Sequence, residues 1–202
     1  MSSPSSFSAL LRKRRQVFGF KATPIPEKIL MRVLEDAIHV PSAGFSQDFD
    51  FIVVKDSATK RRLAEAARES EYQTLGMSKS DFISTAPVIV VPCANKKKYE
   101  DKYGTAEDSR RLPWWLIDAS FASLVLILSA FEHELAASFL GALDDDKVAR
   151  ILNLPNDHTV IPLALVPVGY KSLEDKAWWD ERSKKILRTR RPLENVVHWD
   201  KW

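Results

Sequence analysis

The chain has 202 residues, of which 45% are hydrophobic and 28% charged, enough to build a sizeable core under a well-solvated surface. Its formal charge of only +3 gives no global case for a nucleic-acid binder. The single cysteine, Cys93, excludes a disulfide framework or a thiolate metal site and fits a reducing, cytoplasmic setting.

In chain order, residues 1–6 read as a flexible tail, and Met1 to Ser8 lacks the apolar run of a signal peptide. A first helix is predicted from about Phe7 to Gln16, with Leu10 and Leu11 inward and Arg12, Lys13, Arg14 and Arg15 in succession. After Pro26, apolar residues at helical spacing (Ile29, Leu30, Val33, Leu34, Ala37, Ile38) predict a second helix, which Pro41 stops near Val40. Pro41-Ser42-Ala43-Gly44 is then a turn of small residues, able to bring backbone close to a ligand. Phe49–Lys55 reads as a strand, and Asp56-Ser57 as the cap of a helix from about Ala58 to Glu69.

Pro87–Ala94 is a strand apolar enough to be buried on both faces, with Cys93 as a small buried hydrophobe. Residues 95–112 are highly charged and predict an exposed loop. Residues 113–133 predict a long helix, apolar nearly all round and so buried in a core or an interface. Asp118 and three serines interrupt it, and it falls about one turn short of a comfortable membrane span. A short extended piece (Ser138–Leu143), a short helix (Asp144–Leu152), a third strand (Val160–Tyr170) and a basic, then aromatic tail (177–202) complete the chain. Helices alternating with apolar strands make the fold α/β or α+β.

Arg12–Arg15 and the later set Lys184, Lys185, Arg188, Arg190 and Arg191 are the two basic clusters. Were they to converge, their guanidinium forks would suit phosphate; on composition alone a solvated face is the commoner outcome. Four scattered histidines give no metal-ligand spacing, and no G-x-S-x-G, G-x-G-x-x-G or G-K-[ST] signature occurs. With no evident acid, base or nucleophile, the pattern suits a protein whose cofactor performs the chemistry.

Four stretches, in this order, resemble the nitroreductase family of flavoproteins. Residues 14–20, Arg-Arg-Gln-Val-Phe-Gly-Phe, look like its opening R-R-S-x-[KR]-x-F. Residues 41–47 followed by Phe49-Asp50-Phe51 look like P-S-x-x-N-x-Q-P-W-x-F. Phe139-Leu140-Gly141, Leu152–Pro155 and Pro162 to Tyr170 are similar to the second half, and Arg190–Glu194 with Val197-His198-Trp199 to the C-terminal tail.

The resemblance implies one α+β domain over residues 1–202, with a central, mostly antiparallel sheet flanked by helices. It implies a homodimer, wrapped by a swapped tail, with two FMN sites at its interface. Arg14, Arg15, Arg188 and Arg190 would then meet the FMN phosphate. Pro41, Ser42, Ala43 and Gly44 would lie against the isoalloxazine, with Gln16 and Gln47 near it; backbone at Leu140 and Gly141 would approach its edge, an N–H facing N5. Electrons would pass from NAD(P)H to a nitroaromatic, a quinone or another small acceptor, with no side chain needed as a base.

Three departures favour an alternative, a flavin- or ligand-binding protein with little reductase activity. Phe18 and Phe45 replace usual hydrogen-bond donors, and Asp48 replaces a proline. Losing one charged hydrogen bond in a buried site costs roughly 1.5–3 kcal/mol, about one to two powers of ten in affinity.

Overall fold

The computed structural model describes residues 7–105, 112–172, 181 and 190–202. Its centre is β2 (Val88–Asn95), whose residues through Ala94 are all buried. One edge of β2 pairs antiparallel with β1 (Phe49–Val54). The other pairs with β4 (Val160–Pro162) and β5 (Val166–Gly169), and β5 in turn pairs with β3 (Ala136–Ala137), all antiparallel. The sheet order is β1-β2-β5-β3, with β4 beside β2.

The alternation of a strand explains why β2 must be apolar throughout. Val88 and Val90 point to a layer formed by α2 (Glu27–Ile38) and α6 (Trp114–Glu132), through Leu30, Val33, Leu126 and Ala130. Ile89, Val91 and Cys93 point the other way, to Leu63 and Ala66 of α3 (Ser57–Ala66), Val148 and Ile151 of α7 (Asp145–Leu152), and Phe82. Helix α6 is long and apolar enough to cross a bilayer, yet more than half of it is buried in this chain.

Several boundaries differ from expectation. The first helix, α1, stops at Lys13, so Arg14–Gln16 run in irregular backbone; Leu11 is exposed. Helix α3 ends at Ala66, because Arg68 takes a left-handed conformation (φ 52°) before α4 (Glu69–Thr74). The predicted strand over 160–170 is two strands. Cys93 faces Pro162 and Val90 faces Val166, so residues 163–165 oppose only residues 91 and 92. One extra residue makes a β-bulge. The extended segment at 138–143 is reduced to a single bridge between Leu140 and Leu165.

The segment expected as an exposed loop over 95–112 is largely exposed but helical over Lys96–Tyr103, which form α5. The Asn95 side chain caps it by accepting from the Lys98 amide at 3.1 Å, and Lys96–Glu100 and Lys97–Asp101 pair one turn apart. Capping and charge pairing stand in for the missing apolar periodicity. Only Tyr99 of this helix is buried. Residues 106–111 lie outside the described residues.

Gly169 leaves no room beside it, since a Cβ there would come within 2.6 Å of Pro87 Cδ and 3.3 Å of Phe20 Cδ1. Gly169→Ala is therefore expected to destabilise the fold by about 1–3 kcal/mol through overpacking, read as a lower urea midpoint at unchanged slope.

Candidate functional site

Residues 41–47 leave α2 and fold into a tight turn. The amides of Phe45 and Ser46 donate to Ser42 O and Ala43 O at 2.9 Å each, and the Gln47 amide donates to Ser42 Oγ at 3.0 Å. Gly44, Phe45 and Gln47 all have left-handed backbone (φ 48°, 61° and 49°). Such a conformation costs a non-glycine residue about 1–3 kcal/mol and persists only where the surroundings impose it.

Here they impose it from two sides. Underneath, the Ala43 amide donates to Asp118 Oδ2 at 2.7 Å, and Ser46 Oγ donates to Asp48 Oδ2 at 3.0 Å. Both carboxyls are buried, and they lie within hydrogen-bonding reach of each other. Burial, and then the neighbouring Asp48 carboxylate, push the Asp118 carboxyl up to about 6, against the opposing pull of the Ala43 amide. From above, α5 closes on the turn. Lys102 Nζ donates to Gly44 O, and the Tyr103 hydroxyl fills the space beside Gly44 that a Cβ would need.

A second cluster surrounds Gln16. Its Nε2 donates to Phe139 O at 2.8 Å and its Oε1 accepts from the Phe139 amide at 3.3 Å. Alongside, Ser138 Oγ accepts from the Val17 amide at 3.0 Å and donates to Val17 O. The segment carrying Arg14 and Arg15 is thus stitched to the one carrying Leu140 and Gly141. The Leu140 amide is committed to Leu165 O at 3.1 Å, which removes it as a donor and leaves Gly141 as the exposed backbone there. The bulge lies directly opposite, because Leu165 is one of its residues.

The two clusters lie on opposite sides of β2. The turn leads into β1, at one edge of the sheet, and Leu140 lies beside Leu165 on the far side of β2. Three strand spacings separate β1 from β3, about 14 Å. Arg14 is half-buried and Arg190 exposed; the Arg15 guanidinium folds back onto Arg12 O and Arg14 O at 2.6 and 2.9 Å. Arg188, with Lys184 and Lys185, falls outside the described residues.

Of the three departures from the family pattern, Phe18 is a core residue, its ring set edge-on to Phe82 at 5.1 Å. Phe45 is exposed at the tip of the turn, and Asp48 is part of the carboxyl pair beneath it. Sequence reasoning missed Asp118, Lys102, Tyr103 and Ser138. The one available signal was Asp118 itself, an acid in an otherwise apolar helix.

Residues 11–170 match the Nitroreductase family model. The chain belongs to that family. A relative, an NADH dehydrogenase of Thermus thermophilus, is 28% identical across 93% of this chain and 92% of its own length. Rat iodotyrosine deiodinase 1 is 24% identical across 82% of this chain and 62% of its own. The nitroreductase fold itself is shared with a family protein from Clostridium difficile 630 (TM-score 0.71, 23% identity, 96% and 97% of the two chains). It is shared too with a structure in complex with FMN from Exiguobacterium sibiricum 255-15 (TM-score 0.74, 18% identity, 98% and 99%).

Cys93 takes no part in either cluster. Burial, with the Asp50 carboxylate nearby, pushes its thiol up to about 12. Iodoacetamide at pH 8 is expected to leave the native protein unlabelled and to modify Cys93 only in denaturant, as intact mass would show.

Proposed function

We propose that this nitroreductase-family protein is an FMN-dependent oxidoreductase, a cytoplasmic homodimer that passes electrons from NAD(P)H to a small acceptor such as a nitroaromatic or quinone. The observation that carries this reading is the separation of two ligand-shaped half-sites to opposite sides of one sheet. A turn presents left-handed backbone on one side; on the other, a glycine backbone is tied to an arginine-bearing segment. A second copy, laid against the first, brings unlike halves together.

Two features supply a seat for that copy. Helix α6 exposes an apolar stripe through Ile117, Phe121 and Leu124, the last two 43% and 50% exposed. The described part of the tail turns Leu193, Val196, Trp199 and Trp202 away from its own chain. Exposed apolar surface of this kind is the ordinary mark of an interface.

The donor set fits FMN. Arg14, Arg15 and Arg190 would hold the phosphate, joined by Arg188. Pro41, Ser42, Ala43 and Gly44 would underlie the ring system, with Gln16, Gln47, Leu140 and Gly141 at its margins; the Gly141 amide replaces that of Leu140 as the donor to the ring edge. When bound, FMN supplies hydride acceptance and its onward delivery; the chain supplies affinity, orientation and exclusion of water. Asp48 favours a second reading, flavin binding with little turnover, because a buried carboxylate beside the turn opposes negative charge on a reduced ring.

Protein incubated with FMN and desalted is expected to keep a flavin spectrum that NADH or NADPH bleaches; colourless protein would sink both readings. Retention without bleaching would select the second. Arg14→Ala should raise the FMN Kd about 10–100-fold in a fluorescence titration without shifting the melting temperature.

A further inference from the structure

We propose that Asp118 and Asp48 form a proton-dependent latch under the 41–47 turn, in which protonated Asp118 donates to Asp48 while accepting from the Ala43 amide. The inference rests in part on the reading of that turn as a flavin-binding surface.

The geometry needs a proton. Two carboxyls, each with at most 1% of its residue surface exposed, reach the same turn, Asp118 at Ala43 and Asp48 at Ser46. Asp118 Oδ2 already accepts from Ala43, and Asp48 Oδ2 from Ser46. Asp48 Oδ1 is buried with no hydrogen-bond donor. Two carboxylates offer only acceptors, and an unmatched buried acceptor beside a like charge is doubly unfavourable. One proton on Asp118 supplies the missing donor and removes half of the buried charge.

No cation among the described residues does this instead. On α5, Lys96 pairs with Glu100 and lies over the Trp115 ring, while Lys98 pairs with Asp50 of β1 and Lys102 with Gly44 O. From β2, the Asn95 amide reaches only the backbone oxygen of Asp48. On α2, Asp36 is engaged by Ser129 and His133, three to four turns further along α6. The turn is thus anchored to α6 through a group that titrates close to neutrality.

The direction follows from linkage. Folding raises the proton affinity of Asp118 above its ordinary carboxylate value, so the latch is complete at low pH and weakens as pH rises through about 6. Asp118→Asn keeps an acceptor for Ala43 and gives Asp48 a permanent N–H donor, and so mimics the protonated form at every pH.

The test is a comparison of the native protein with Asp118→Asn between pH 5 and pH 8, first by thermal melting, then by FMN titration. The native melting temperature is expected to fall by about 5 °C across this range and that of the variant to stay nearly level. The native FMN Kd should rise several-fold over the same interval and the variant's should not. Parallel melting curves for the two proteins would overturn the latch. A pH-independent native FMN Kd beside divergent melting curves would overturn its coupling to the site. Divergent melting with no flavin bound at any pH would uphold the latch and refute the flavin reading. Asp48→Asn, which removes the like charge from the other side, should flatten the native melting profile in the same way.

Discussion

Strand β2 has no face turned to water and no unpaired edge over most of its length, and the remaining elements are arranged around that fact. Its odd and even residues each demand an apolar layer, which is why helices cover the sheet on both sides. One edge holds β1 and so fixes where the 41–47 turn must emerge; the other holds the β4–β5 run and so fixes the 138–141 segment. A strand buried this way tolerates little repositioning, since a slip of one residue would exchange its two apolar faces and break three pairings together.

Around this rigid centre, the site is made from backbone that departs from regular structure. The left-handed residues of the turn and the bulge at 163–165 both depart from ideal geometry close to residues proposed for cofactor contact. Each is held by side chains far away in sequence: Asp118 for the turn, Gln16 and Ser138 for the segment beside the bulge. Strain at a site is sustained by hydrogen bonds to groups that are themselves immobile, and the α6 core and the sheet edge provide such groups.

Much of this was legible in the sequence. Helical spacing before Pro41, the apolar run from Val88 and the all-round apolar character of residues 114–131 each reflect burial that the fold then displays. The split of the third strand was not legible, because a bulge is a matter of register between two strands and leaves no mark in either alone. Helix α5 was hidden for a different reason: its stability comes from a cap and paired charges, while its composition is that of a loop. Phe18 looked like a change in the flavin site because motif matching reads positions, whereas the ring turns into the core against Phe82. The role of Asp118 required knowing that α6 passes under the turn, and no local pattern carries that information.

The two proposed half-sites of one chain lie some three strands apart in the sheet. On the proposed reading, in which a second copy completes the site, occupancy by the ligand and assembly of the pair are linked by mass action. Dilution would then act as a releasing agent, and saturation with the ligand would hold the subunits together at concentrations where they would otherwise separate.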